Sequence, residues 1–148
     1  AGFAYPLIAT SYCTAQTNSQ GCLPVVAVSG PIVPSASFDQ GFHVRAINVI
    51  GGKAGIFFYG LSGRAATPFL GGTLCMVSPL KRTPVQTSVG SPTGCGGFFD
   101  IDFNAYAATG ADAGLVAGAL VDGQWWSRDP AAASTTSLTN ALEFQIYP

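Results

Sequence analysis

The chain has 148 residues, of which 9% are charged, and its formal net charge is -1. Basic residues scattered singly apart from Lys81-Arg82 leave no electrostatic footprint for a nucleic acid, and no run approaches the ~18 uninterrupted apolar residues of a membrane helix. A charge fraction far below the usual ~25% supplies little repulsion between copies, a composition common in subunits of assemblies.

The first ten residues, Ala1-Gly2-Phe3-Ala4-Tyr5-Pro6-Leu7-Ile8-Ala9-Thr10, are extended in character and carry no charged side chain. Phe3, Tyr5 and Leu7 fall on one side of a strand with Ile8 next to them, and Pro6 restricts that strand to an edge or forces a bend. Left free in water such a segment invites aggregation. It either opens the chain's own sandwich or adds to a neighbouring subunit, so residues 1–10 are read as an N-terminal extension and residues 11–148 as the module. A start without Met or a basic region fits a chain from which a secretory peptide has been removed.

Beyond this segment, 19 glycines and 10 prolines break every window of helical length, and strands become the default. Candidate strands are residues 24–29, 42–50, 54–59, 72–77, 97–104, 120–127 and 142–147. In the second of these Phe42, Val44, Ala46 and Asn48 alternate with His43, Arg45, Ile47 and Val49, and Gly51-Gly52 predicts a hairpin into residues 54–59. Residues 84–97 read as a surface loop, residues 105–120 as loop or irregular strand with room for one short helix, and residues 136–141 as one helical turn before the last strand. The spacing predicts a single-domain, all-β, antiparallel β-sandwich of jelly-roll or immunoglobulin-like type.

Cys13, Cys22, Cys75 and Cys95 are even in number and follow no Cys-x-x-Cys or Cys/His ligand pattern, which points to disulfides and an oxidising compartment. Of three connectivities, spacing favours Cys13 with Cys22, closing a small polar loop, and Cys75 with Cys95, closing the long one.

From Tyr12 onward the chain resembles a module recurrent in secreted planctomycete-type proteins. The shared motifs are Tyr12-Cys13-Thr14-Ala15 with Asn18-Ser19-Gln20-Gly21-Cys22, Gly55-Ile56-Phe57-Phe58-Tyr59-Gly60, Pro68-Phe69-Leu70-Gly71-Gly72-Thr73-Leu74-Cys75, Asp102-Phe103-Asn104-Ala105 and Gln124-Trp125-Trp126-Ser127-Arg128-Asp129-Pro130. The resemblance implies an extracellular setting and brings no active site with it.

Few residues suggest chemistry. Asp100, Asp102 and Asn104 offer oxygen ligands at alternate positions, as a calcium loop begins, yet the glycine and bidentate Glu that complete such a loop are missing. On a strand they simply share the polar face while Phe99, Ile101 and Phe103 share the core face. No cofactor other than this weak calcium site is expected. His43, the single histidine, lies on the more exposed side next to Arg45, and no Gly-x-Ser-x-Gly elbow accompanies it, so no enzymatic activity is expected. Trp125 and Trp126 are adjacent on a strand: one must face the core and the other outward, where it packs under Arg128, meets a subunit or stacks on a sugar.

These readings lead to a secreted or cell-surface structural subunit that assembles with itself head to tail through Phe3, Tyr5, Leu7 and Ile8. The alternative is a carbohydrate-binding or adhesive module that uses Trp125, Trp126 and Arg128.

Overall fold

A computed structural model describes residues 8–148. Phe3, Tyr5 and Leu7 lie outside the described residues. The strands are β1 (Ala9–Tyr12), β2 (Val25–Ser29), β3 (His43–Val49), β4 (Ala54–Gly60), β5 (Arg64–Phe69), β6 (Gly72–Met76), β7 (Lys81–Arg82), β8 (Gln86–Thr87), β9 (Gly97–Asp102), β10 (Leu120–Arg128) and β11 (Thr136–Gln145); one helix, α1 (Phe103–Ala108), follows β9. The larger sheet runs β1-β11-β10-β4-β7, with β8 also pairing β4. A smaller sheet runs β2-β3-β9, and β5 and β6 form a separate hairpin. All strand pairings are antiparallel.

The core lies between the two sheets and is dominated by aromatic rings. Phe57 and Tyr59 of β4, Trp125 of β10 and Phe144 of β11 face Val44 and Ala46 of β3 and Phe99 of β9. Trp125 stacks on Phe99 with ring centroids 5.2 Å apart and tilts against Phe57 at 5.5 Å. These rings need backbone without side chains beneath them. At Gly123 a Cβ would sit 2.3 Å from the Phe57 ring, so only glycine leaves room there.

Both predicted disulfide pairs are wrong: the bonds are Cys13–Cys75 and Cys22–Cys95, spanning 62 and 73 residues. The segment between Cys13 and Cys22 does not curl into a loop closed on itself. It runs across the domain, with the Gln16 amide donating to the Leu138 carbonyl and the Ser19 amide to Asp129, so its two ends reach different partners.

The predicted hairpin at Gly51-Gly52 is also corrected, because β3 belongs to the smaller sheet and β4 to the larger. Here the chain crosses between layers, and Gly51 and Gly52 donate to the carbonyls of Ser91 and Ser88 instead of to each other's strands. Within β3 the alternation breaks. Asn48 adopts φ 59° at a bulge, which leaves Asn48 exposed and turns Val49 into the core. Residues 136–141 are strand and not a helical turn, because Leu138, Ala141 and Leu142 find their partners along β10. The short helix begins at Phe103, earlier than expected, since the Asp102 carboxylate accepts from the Ala105 amide and caps it.

Candidate functional site: an apolar groove on the outer face

β4 and β10 are buried on both faces, and the second layer is the β5–β6 hairpin folded over the outside of the larger sheet. Buried Gln124 accepts from the Cys75 amide at 2.9 Å and donates to the carbonyls of Thr73 and Thr139 at 3.0 and 2.8 Å. Arg64 forms a bidentate pair with Glu143, at 3.0 Å from Nε and 2.7 Å from Nη2. The Tyr12 hydroxyl donates to the Cys75 carbonyl at 2.7 Å beside the Cys13–Cys75 bond. Phe58, Met76 and Leu138 form a small apolar cluster under this cover.

The hairpin does not cover the whole face. A groove of about 250 Å³ stays open, lined by Ile56, Phe58, Phe69, Leu70, Leu80, Arg82 and Trp126. Of the tryptophan pair, Trp125 is 1% exposed in the core while Trp126 points outward into this groove, as alternation requires. The Arg128 guanidinium lies 5.3 Å from the Trp126 ring centre, a cation-π contact that occupies one face of the indole. Among the described residues neither Arg82 nor Arg128 pairs with a carboxylate, whereas Arg45, Arg64 and Lys81 do.

Leu70 is the anomaly of the site. It and Gly71 form the two-residue turn between β5 and β6, both with positive φ, 49° and 80°. Such turns favour Asn or Asp followed by Gly, and a branched apolar residue in the left-handed region costs about 1 kcal/mol. Burial does not offset this, since Leu70 remains 48% exposed at the rim of the groove.

Below the hairpin, Asp122 stands across from Glu143 in the β10–β11 register and is fully buried. Burial and the neighbouring Glu143 push its carboxyl up to about 7, while the Arg64 guanidinium holds Glu143 below the ordinary carboxylate range.

The polar residues on the smaller sheet are engaged with one another. His43 Nδ1 lies 2.8 Å from Asp100 and its Nε2 3.6 Å from Asp102, and Arg45 Nε is 3.5 Å from Asp100. Asp102 also accepts from the Gly41 amide at 2.7 Å. Asn104 is on the helix, buried, accepting from the Ser35 amide and donating to the carbonyls of Val33 and Gln40. The three suggested calcium ligands thus serve ion pairing, helix capping and loop anchoring, and among the described residues no group of three His, Cys, Asp or Glu side chains gathers in a metal-binding arrangement. No helix among the described residues is long and apolar enough to cross a membrane.

Sequence reasoning placed Trp126 and Arg128 at one site but missed Phe58, Phe69, Leu70, Leu80 and Arg82. The available signal was Phe69-Leu70-Gly71, an apolar pair at a turn where polar residues belong. Comparisons with known protein families, with curated proteins and with solved structures find no match to this chain.

Proposed function

We propose that this protein is a structural subunit of a self-assembling extracellular filament or cell-surface layer, joined to its neighbour through the N-terminal strand. The observation that supports this most is the position of β1. Among the described residues it is the outermost strand of the larger sheet and pairs only with β11, and in the sequence it follows directly on residues 1–8, which carry no charged side chain. Because β1 stands at the margin of the sheet, a segment leading into it need not cross the domain to reach another chain. Two disulfides fit a compartment without a thiol buffer.

Negative-stain electron microscopy of the non-reduced protein tests the reading directly. Regular filaments or sheets are expected, and dispersed ~15 kDa particles would remove the proposal. Leu7→Asp should abolish assembly while the thermal transition stays within a few degrees of wild type; normal polymers from that variant would rule out joining through the N-terminal strand.

Trp126 favours a second reading, a glycan-binding or adhesive module. It ranks lower on the groove's chemistry, because Arg128 covers one indole face and the other lining side chains, apart from Arg82, have no polar group for sugar hydroxyls. A saturable change in Trp emission on adding neutral oligosaccharides to a monomeric protein would reverse the ranking.

A further inference from the structure

We infer that the Trp126 groove is the acceptor for residues Phe3 to Leu7 of a second copy of this chain. The inference rests on the strand-joined assembly proposed above and names the surface that receives the strand.

Reach prevents the chain's own segment from filling the groove, since of its apolar side chains only the Phe3 ring could come near the rim. Ala9 pairs with Phe144 and Phe144 with Val121, whereas Phe58 and Ile56 at the groove pair with Gln124 and Trp126. The groove therefore lies about five residues along the strands and two to three strands across from Ile8, about 20 Å away at ~3.3 Å per residue and ~4.8 Å per strand. Fully extended, Leu7, Tyr5 and Phe3 reach at most about 4, 11 and 18 Å from Ile8. One molecule cannot lay these three side chains in its own groove. A second copy can, and the contact joins different surfaces of the two partners, so it propagates and does not close.

Chemistry and backbone geometry agree with this occupant. A segment without charged side chains that carries Phe, Tyr and Leu suits a trough walled by Phe58, Phe69, Leu70 and Leu80, and its aromatic rings can meet the Arg82 guanidinium group. β5 pairs only with β6, and β7 only with β4, so among the described residues two strands whose side chains line the groove each keep an unpaired edge. An extended segment laid there can add to a strand as well as fill a pocket. Leu70, held apolar, half-exposed and left-handed against local preference, gains its burial when the segment arrives.

The test combines two full-length variants. Leu70→Asp blocks the acceptor with a residue that suits the turn, and Leu7→Asp blocks the donor. Each alone should sediment as a monomer. Mixed in equal amounts they should form a dimer of about twice 15.1 kDa and nothing larger, because one intact donor meets one intact acceptor. Leu70→Asp assembling like wild type, or two monomeric variants failing to dimerise on mixing, would overturn the groove assignment while a monomeric Leu7→Asp still upheld the strand-joined reading. Polymers from Leu7→Asp would overturn both. Independently of the Leu70 variant, a synthetic peptide of residues 1–10 titrated into Leu7→Asp protein should shift tryptophan emission saturably, and no shift counts against the groove.

Discussion

Asp122 shows how one residue can set the pH behaviour of the molecule. Its carboxyl is raised to about 7 by burial and by Glu143, against 3.8 in an unfolded chain, so the folded state holds a proton that the unfolded state releases. The sign follows from linkage: this contribution is fully present below about pH 4 and is lost as pH rises toward about 7. Glu143 works in the opposite sense, its lowered value supplying stability that is present above the ordinary Glu range and is lost as pH falls below it. The other ionisable groups facing the pair are Tyr12 from β1 and Arg64 from β5. Thermal melts should therefore place the transition a few degrees higher at pH 5 than at pH 8, and Asp122→Asn should flatten that slope. A slope unchanged in the variant would assign it to another group. None of this was legible beforehand, since Asp122 in the sequence is an ordinary strand residue and only the β10–β11 register sets it opposite Glu143.

Among the elements, the β5–β6 hairpin depends most on contacts distant in sequence. Its own pairing is limited to two strands, a marginal unit when isolated. It is fastened by Gln124, by Arg64–Glu143 and by the Cys13–Cys75 bond. Closing a loop of 62 residues is worth about 4 kcal/mol on the loop-entropy model. Replacing both Cys13 and Cys75 with Ser should lower stability by about 2–4 kcal/mol in urea unfolding. Because the same hairpin carries Phe69 and Leu70, assembly should fail under conditions where the sandwich is still folded; loss of both at one denaturant concentration would deny the hairpin any separate role. The strands with clear alternation or continuous apolar runs, β2, β4, β6, β9 and β10, were legible from the sequence, as was the opposed facing of Trp125 and Trp126. β5 was not, because Ala65, Ala66 and Pro68 give a weak strand signal that only pairing with β6 overrides. The disulfide pairing failed for a related reason: nearness in sequence says nothing about a segment that crosses the domain.

At the scale of the whole molecule, scarcity of charge decides which forces can join copies. With a net charge of -1, long-range repulsion between copies is weak, and the proposed joint would bring the apolar groove together with an N-terminal segment that carries no charged side chain. At 1 M salt the Debye length falls to about 3 Å, which removes most attraction between exposed charges but leaves apolar burial intact. Polymer mass measured by sedimentation should therefore be unchanged between 0.05 and about 1 M sodium chloride, and should rise in ammonium sulfate, which strengthens effective apolar burial. Polymers that dissolve with added sodium chloride would instead locate the joint in ionic contacts. The only cations left without a carboxylate partner among the described residues are Lys53, Arg82 and Arg128. These three are the first candidates for an ionic joint, and single replacement of each by Gln would test them.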